Sequence, residues 1–262
     1  MTEKINGIAF FDEGVRGGTP VVLVHGFPFD HAMWQPQVEA LSRTYRVISY
    51  DVRGHGQSEP GEGQVTLESF VDDLLMLLDH LKVHRAVLCG LSMGGYIALR
   101  AVERRADRFS ALILCDTKSE ADSSEARLKR SAAISAVKQN GVDAFSNEFI
   151  KSALAEGSLR TNPGLVTSIL AMIRRNSPLG ICGTLLALAG RTDTTGALSQ
   201  MDLPALILVG EQDKLTPPAV SESMSKALPR ATMRLIPNAG HLSNLENPSV
   251  FNAFLIEFLK KL

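Results

Sequence analysis

The chain has 262 residues, of which 45% are hydrophobic and 21% charged, and its formal net charge is −1. This is the composition of a soluble globular protein, long enough for one large α/β domain with an insertion or for two ordinary domains. The balanced charge, without a basic run, argues against nucleic acid as a partner, and no apolar run is long enough to span a bilayer.

In chain order, the opening "MTEKINGIAFFDEG" lacks the long apolar core of a secretory signal, and two weak runs around "KINGIAFF" predict an antiparallel sheet edge. "VVLVHG" (21–26) reads as a strand buried on both faces, followed by a helix over "MWQPQVEALSR" (33–43) and a second strand at "RVISYD" (46–51). "TLESFVDDLLMLLDHLKV" (66–83) carries apolar residues at three- and four-residue spacing, with Thr66 as N-cap. Strands follow at "AVLCGLS" (86–92) and "ALILCD" (111–116). The alternation then stops. Residues 117–200 contain four helix-like stretches, "SEARLKRSAAISAVKQNG", "VDAFSNEFIKSALA", "GLVTSILAMIRRN" and "GTLLALAG", and no convincing strand.

The strand rhythm resumes at Leu203, with strands at "ALILVGEQD" (205–213) and "TMRLIP" (232–237). Helices are expected over "TPPAVSESMSKAL" (216–228), capped by Thr216, and "NPSVFNAFLIEFLKKL" (247–262), each with a proline in the first turn. The expected organisation is an α/β core of residues 1–116 and 201–262, a mostly parallel sheet with helices on both faces, interrupted by a helical lid of residues 117–200. Three cysteines, Cys89, Cys115 and Cys182, are too few and too scattered for a disulfide framework, which points to a reducing cytoplasm. No close Cys/His cluster predicts a metal site.

The chemistry starts at "GLSMGG" (90–95). A tight strand-to-helix turn can hold a serine in a strained conformation with its hydroxyl projecting outward. Side chains two residues before and after Ser92 would collide with such a turn, and Gly90 and Gly94 remove them. Gly95 and Ala98 let the helix sit close to the sheet, and its N-terminus brings a positive dipole end near the hydroxyl.

A serine hydroxyl needs a base to take its proton. Six histidines are available: His25, His31, His55, His80, His84 and His241. His241, in the irregular loop "PNAGHLSNLENP" after the last strand, is the preferred base, while His80 and His84 read as solvated and His25 as a structural loop residue. The base needs a carboxylate to fix its tautomer. Asp213 directly follows the strand "ALILVG", at the sheet edge where open α/β sheets bind ligands. Asp116, which also ends a strand, and the nearby Glu211 remain rivals.

An acyl transfer also needs donors for a developing oxyanion. The backbone N–H of Met93 is one candidate, and that of Phe27 in "HGFPFDHAMW" the other, because Pro28 has no N–H. Phe29, His31 and Trp34 from that loop, with Leu165, Ile169, Met172 and Leu185 from the insertion, are candidate pocket residues. Asp51, Arg53 and His55 in "DVRGHGQS" read as loop-holding groups. An inward-pointing arginine among Arg160, Arg174, Arg175 and Arg191 would favour a carboxylate-bearing lactone.

The motifs "HGFP", "DVRGHGQS", "GLSMGG" and "GEQDKLTPP…NAGH", in this order, resemble the α/β-hydrolase family over nearly the whole chain outside the insertion. The resemblance implies an eight-stranded, mostly parallel sheet with a helical cap, Ser92 as nucleophile, Asp213 as acid, His241 as base, and Phe27 and Met93 at the oxyanion positions. Within the family the core looks like small bacterial carboxylesterases, 3-oxoadipate enol-lactonases and cofactor-free haloperoxidases or perhydrolases. A serine at position 92 departs from the dehalogenase and epoxide hydrolase pattern, where an aspartate stands. The function these residues predict is hydrolysis of a small ester or lactone through an acyl-serine, without metal or organic cofactor. A perhydrolase, or a low-turnover ligand receptor that keeps the triad, are the alternatives.

Overall fold

The computed structural model describes residues 3–262. Eight strands form one sheet: β1 (Glu3–Ile5), β2 (Ile8–Gly14), β3 (Pro20–Val24), β4 (Arg46–Tyr50), β5 (Ala86–Leu91), β6 (Phe109–Cys115), β7 (Ala205–Gly210) and β8 (Ala231–Ile236). Their order across the sheet is β1-β2-β4-β3-β5-β6-β7-β8. The first two strands pair antiparallel, and every neighbouring pair from β4 to β8 is parallel.

The continuous apolarity of the central strands has a direct cause. β5 and β7 are buried at every position, because helices cover both faces of the sheet. Side chains alternate along β3: Val22 and Val24 join the core on one face, Val21 and Leu23 the core on the other. The first face is covered by α2 (Leu67–His80), α3 (Met93–Arg105) and α8 (Pro218–Ala227), the second by α1 (Gln35–Leu41) and α10 (Pro248–Leu259). The chain connecting parallel strands must cross over the sheet; α1, α2, α3 and α8 are such crossovers, and α10 follows the last strand.

Side-chain caps open α2 and α10, whereas α1, α3 and α8 start without one. Thr66 and Ser69 cap α2 reciprocally, and the Asn247 side chain accepts from the Val250 N–H with Pro248 in the first turn of α10. Thr216 does not cap α8. The cap position is Pro217, and the Thr216 hydroxyl is used elsewhere, as described below. The segment expected as one helix over 33–43 is a 3-10 turn at His31–Trp34 followed by α1.

Between β6 and β7 lie α4 (Ser124–Ala153), α5 (Glu156–Thr161), α6 (Pro163–Arg174) and α7 (Pro178–Ala189). Within α4 two helices meet at Gly141, whose φ of 78° and ψ of 174° are non-helical, at the boundary between two of the stretches read from the sequence. This helical segment is tied to the loops at the sheet's edge. The Asn176 amide accepts from the Gly56 N–H at 2.7 Å and donates to the Pro28 carbonyl at 2.7 Å. Arg175 pairs with the buried Asp30 at 2.6 Å. Among the described residues no helix is long and apolar enough to cross a membrane.

Candidate active site

Ser92 joins β5 to α3 with φ 53° and ψ −111°, a strained backbone for any L-residue. Its surroundings hold it there. The Ser92 N–H donates to the Cys115 carbonyl at 2.9 Å, and the Ser92 carbonyl accepts from the Thr117 hydroxyl at 2.7 Å and the Gly95 N–H at 2.9 Å. The flanking glycines are required by close approach. A Cβ at Gly90 would lie 2.1 Å from the Gly94 carbonyl oxygen, and one at Gly94 2.1 Å from that of Val24. Strand, turn and helix can pack this tightly only without those side chains.

The structure brings three side chains from distant parts of the chain together. Ser92 Oγ lies 2.8 Å from His241 Nε2, and His241 Nδ1 lies 2.8 Å from Asp213 Oδ2. A carboxylate only accepts, so Nδ1 carries the proton and Nε2 is the acceptor facing the serine hydroxyl. Asp213 also accepts from the Leu215 N–H (2.8 Å), the Thr216 N–H (3.0 Å) and the Thr216 hydroxyl (2.7 Å). Burial opposes ionisation of Asp213. The His241 charge and hydrogen bond, with the Thr216 donors, outweigh it and hold the carboxyl below its ordinary pKa.

Asp116 is turned away from the imidazole. It accepts from the Gly210 N–H at 2.7 Å and the Ser243 hydroxyl. Complete burial, with the negative charge of Asp213 nearby, raises its pKa well above the usual carboxylate range. Glu211 points to the Asn238 N–H. Of the three candidate carboxylates, Asp213 is the one in contact with the ring.

The loop carrying His241 is fixed by residues that motif reading missed. The His241 N–H donates to the Ala153 carbonyl at 2.8 Å. Glu246 accepts from the Gly240 N–H (2.8 Å) with one oxygen, and from the Ala155 N–H (2.9 Å) and the Ser158 hydroxyl (2.6 Å) with the other. Glu246 therefore clamps the histidine loop to the end of α4 and the start of α5. Its single carboxylate, at the end of the one-turn α9 (Ser243–Glu246), carries no sequence signal of that role.

A cavity of about 420 Å³ has Ser92 and His241 in its wall. The apolar side is built from Phe27, Tyr96, Phe145, Phe149, Leu185 and Leu188, and the polar side includes Lys118, Asp122, Lys129, Arg130 and Lys214. Phe27 and Met93 line the same cavity. Their backbone N–H groups have no acceptor among the hydrogen bonds of the described residues, so both are available to a ligand.

Six residues expected at the pocket lie elsewhere. Phe29 and Trp34 are fully buried under the loop, Phe29 against Phe149 and Trp34 against Phe251 of α10. The His31 ring stacks on Phe11 at 3.6 Å and bonds Asp51 at 2.7 Å. Leu165, Ile169 and Met172 form the inward stripe of α6 and pack into the core on the α1/α10 face. Apolarity or proximity in sequence marks each as a pocket candidate, and the fold draws each into packing instead. Of the apolar candidates from the insertion, Leu185 alone reaches the cavity.

None of the four candidate arginines from the insertion is among the residues lining the cavity. Arg160 is exposed, Arg174 pairs with Asp143 at 3.0 Å, and Arg175 pairs with Asp30. Arg191 is 4% exposed and bound to Asp122 at 2.5 Å.

Asp51, Arg53 and His25 hold loops. Asp51 accepts from the His31 and Gln57 N–H groups, and Arg53 pairs with Asp73. His25 donates from Nδ1 to the Gly26 carbonyl at 2.9 Å and accepts the Val52 N–H on Nε2 at 2.8 Å. Asp30, His31 and Asp51 bring ligand-type atoms within 4.8 Å of one another, but those atoms are engaged by Arg175, by backbone N–H groups and by each other.

The chain belongs to the alpha/beta hydrolase fold family, whose pattern it matches over residues 19–248. Among individual relatives, it is 30% identical over 249 residues to 3-oxoadipate enol-lactonase 1 of Acinetobacter baylyi, covering 95% of this chain and 91% of that one. A thermophilic esterase from Thermogutta terrifontis superposes with a TM-score of 0.93 at 38% identity, covering 99% of this chain and 96% of that chain. The enol-lactonase from Burkholderia xenovorans gives 0.92 at 29% identity, covering 99% and 100% respectively.

Proposed function

We infer that this chain is a carboxylic ester hydrolase that cleaves small esters or lactones through an acyl-serine intermediate. The observation that carries the reading is the continuous relay from Ser92 Oγ through both nitrogens of His241 to Asp213, beside two unengaged amides in one cavity. The similarity to an esterase and to two enol-lactonases supports the same class.

The steps follow from the geometry. Ser92 Oγ attacks the substrate carbonyl while its proton passes to His241 Nε2. The imidazolium that forms is stabilised by Asp213, which stays ionised because its neighbours depress its pKa. The oxyanion is received by the N–H groups of Phe27 and Met93, and losing one such donor costs about 10²–10³ in kcat. His241 then protonates the oxygen whose bond to the carbonyl carbon breaks: the alcohol of an ester departs, whereas the ring of a lactone opens and its new hydroxyl stays on the acyl group, leaving acyl-Ser92 in either case. Water enters, His241 takes its proton, and the acid is released with Ser92 restored. In this reading the helices between β6 and β7 act as a cap that closes the cavity and narrows which acyl groups fit.

Replacing Ser92 with alanine removes the nucleophile without disturbing the turn. Turnover of p-nitrophenyl acetate is expected to fall by about 10⁴-fold or more while the circular dichroism stays native. Retention of wild-type turnover in this variant would refute the assignment. Multiple turnovers per wild-type molecule distinguish an enzyme from a receptor built on the same fold.

A further inference from the structure

Building on the hydrolase reading, we propose that Lys118 forms an anion-binding subsite within the catalytic cavity. The favoured substrates are then esters or lactones that carry a carboxylate away from the scissile bond.

The charges around the cavity do not balance. Four cationic side chains line it, Lys118, Lys129, Arg130 and Lys214, against one carboxylate, Asp122. Asp122 is already doubly engaged, by Arg130 and by Arg191 at 2.5 Å. Arg191 is itself buried, with its guanidinium 4.3 Å from the centre of the Tyr96 ring. Two guanidinium groups on one carboxylate leave a surplus positive charge behind that wall. Lys129 and Lys214 are matched at the rim by Glu125 at 2.9 Å and Glu156 at 3.1 Å.

Lys118 is the exception. It is half-buried, and among the described residues no carboxylate lies within 4.0 Å of its ammonium group; Glu120, two residues on, does not bridge to it. Burial, and then the positive charge of Arg191, disfavour its charged form, and Asp122 and Glu120 only partly compensate. A ligand anion would offset both penalties by pairing with the ammonium, whereas a neutral ligand would deepen the first.

Position makes the group useful. Lys118 directly follows Thr117, whose hydroxyl holds the Ser92 carbonyl, so the cation is anchored to the same turn as the nucleophile. Phe145, Phe149 and Leu185 supply apolar wall in the same cavity. A substrate with a carboxylate at one end and an ester at the other, joined by a short apolar chain, matches that distribution of charge and surface.

The test compares kcat/KM for matched pairs: 4-nitrophenyl hydrogen glutarate against 4-nitrophenyl butyrate, and 4-acetoxybenzoate against phenyl acetate. These place the anion on the acyl and the alcohol side in turn. The wild type is expected to prefer the charged member of at least one pair, and added salt to weaken that preference. Lys118→Met is expected to lower the charged-to-neutral ratio for that pair about 10- to 100-fold, the range of a charge-assisted hydrogen bond, while Lys118→Arg retains it. Calorimetric binding of monomethyl glutarate to Ser92→Ala, with and without Lys118→Met, reads the subsite without turnover, and the added substitution is expected to weaken binding. No preference in either pair, an unchanged ratio in Lys118→Met, or binding insensitive to that change overturns the subsite. Failure to hydrolyse any of the four esters, with binding still dependent on Lys118, overturns the hydrolase reading and leaves the subsite standing.

Discussion

His25 couples the loop that carries Phe27 to acidity. Its ring is fully buried, donating from Nδ1 to the Gly26 carbonyl and accepting the Val52 N–H on Nε2. A second ring proton would point straight at the Val52 N–H. Burial dominates and drives the pKa from 6.5 down to about 4, although Asp51 and the Gly26 carbonyl pull the other way. Because the folded value is depressed, the unfolded chain binds the extra proton first. Stability is therefore fully present above pH 6.5 and declines as pH falls towards the folded value, below which the loss levels off. Between about pH 7.5 and about pH 4.5 this one ring should remove roughly 2.5 kcal/mol of unfolding free energy. Urea unfolding of the wild type and of His25→Gln at those two pH values checks it. The variant is expected to be less stable at the higher pH, because it loses the Nδ1 donor. Its further loss on acidification should be smaller by about that same amount. An equal loss in both proteins would show that the acid sensitivity lies elsewhere, for example in His55, which burial lowers to about 3.

Two further outcomes concern the relay itself. Thr216→Val keeps the side-chain shape but deletes the hydroxyl that donates to Asp213 at 2.7 Å. A hydrogen bond to a charged acceptor is worth about 1.5–3 kcal/mol, so kcat is expected to fall about 10- to 100-fold. Unchanged kcat in Thr216→Val would deny the hydroxyl a part in positioning Asp213. Asp213→Asn should lower kcat by about 10⁴-fold by favouring the wrong imidazole tautomer. Asp116→Asn, which keeps an acceptor for the Gly210 N–H, should change it by less than about tenfold. Steady-state kinetics on p-nitrophenyl acetate separates the two carboxylates, and equal losses would undo the choice between them.

Much of the architecture was legible because it follows from local rules. Strands covered on both faces must be apolar throughout, as β5 and β7 are, so β3 to β7 stood out as runs; β8, at the far edge and only partly buried, stood out by its own apolar and β-branched residues. The elbow was legible for a steric reason: Gly90 and Gly94 face backbone oxygens that leave no room for a Cβ. The first two strands read weakly, since β1 and the outer part of β2 are partly exposed at the sheet edge. Side chains whose role depends on distant partners were illegible. Trp34 and Phe29 have the composition of a substrate wall and serve as packing, while Tyr96, one turn beyond the serine, faces the cavity. Glu246 and Thr216 matter only because the fold delivers Ala155, Ser158 and Asp213 to them.

Sequence by itself determined the order of elements, the parallel sheet and the strained serine turn, because these depend on period, sterics and neighbours a few residues apart. Tertiary structure alone decided which of three carboxylates meets the imidazole, which side chains line the cavity, and which cation there is left without a carboxylate. Those outcomes depend on where separate crossovers come to rest against one another, and on burial and charge summed over residues far apart in the chain.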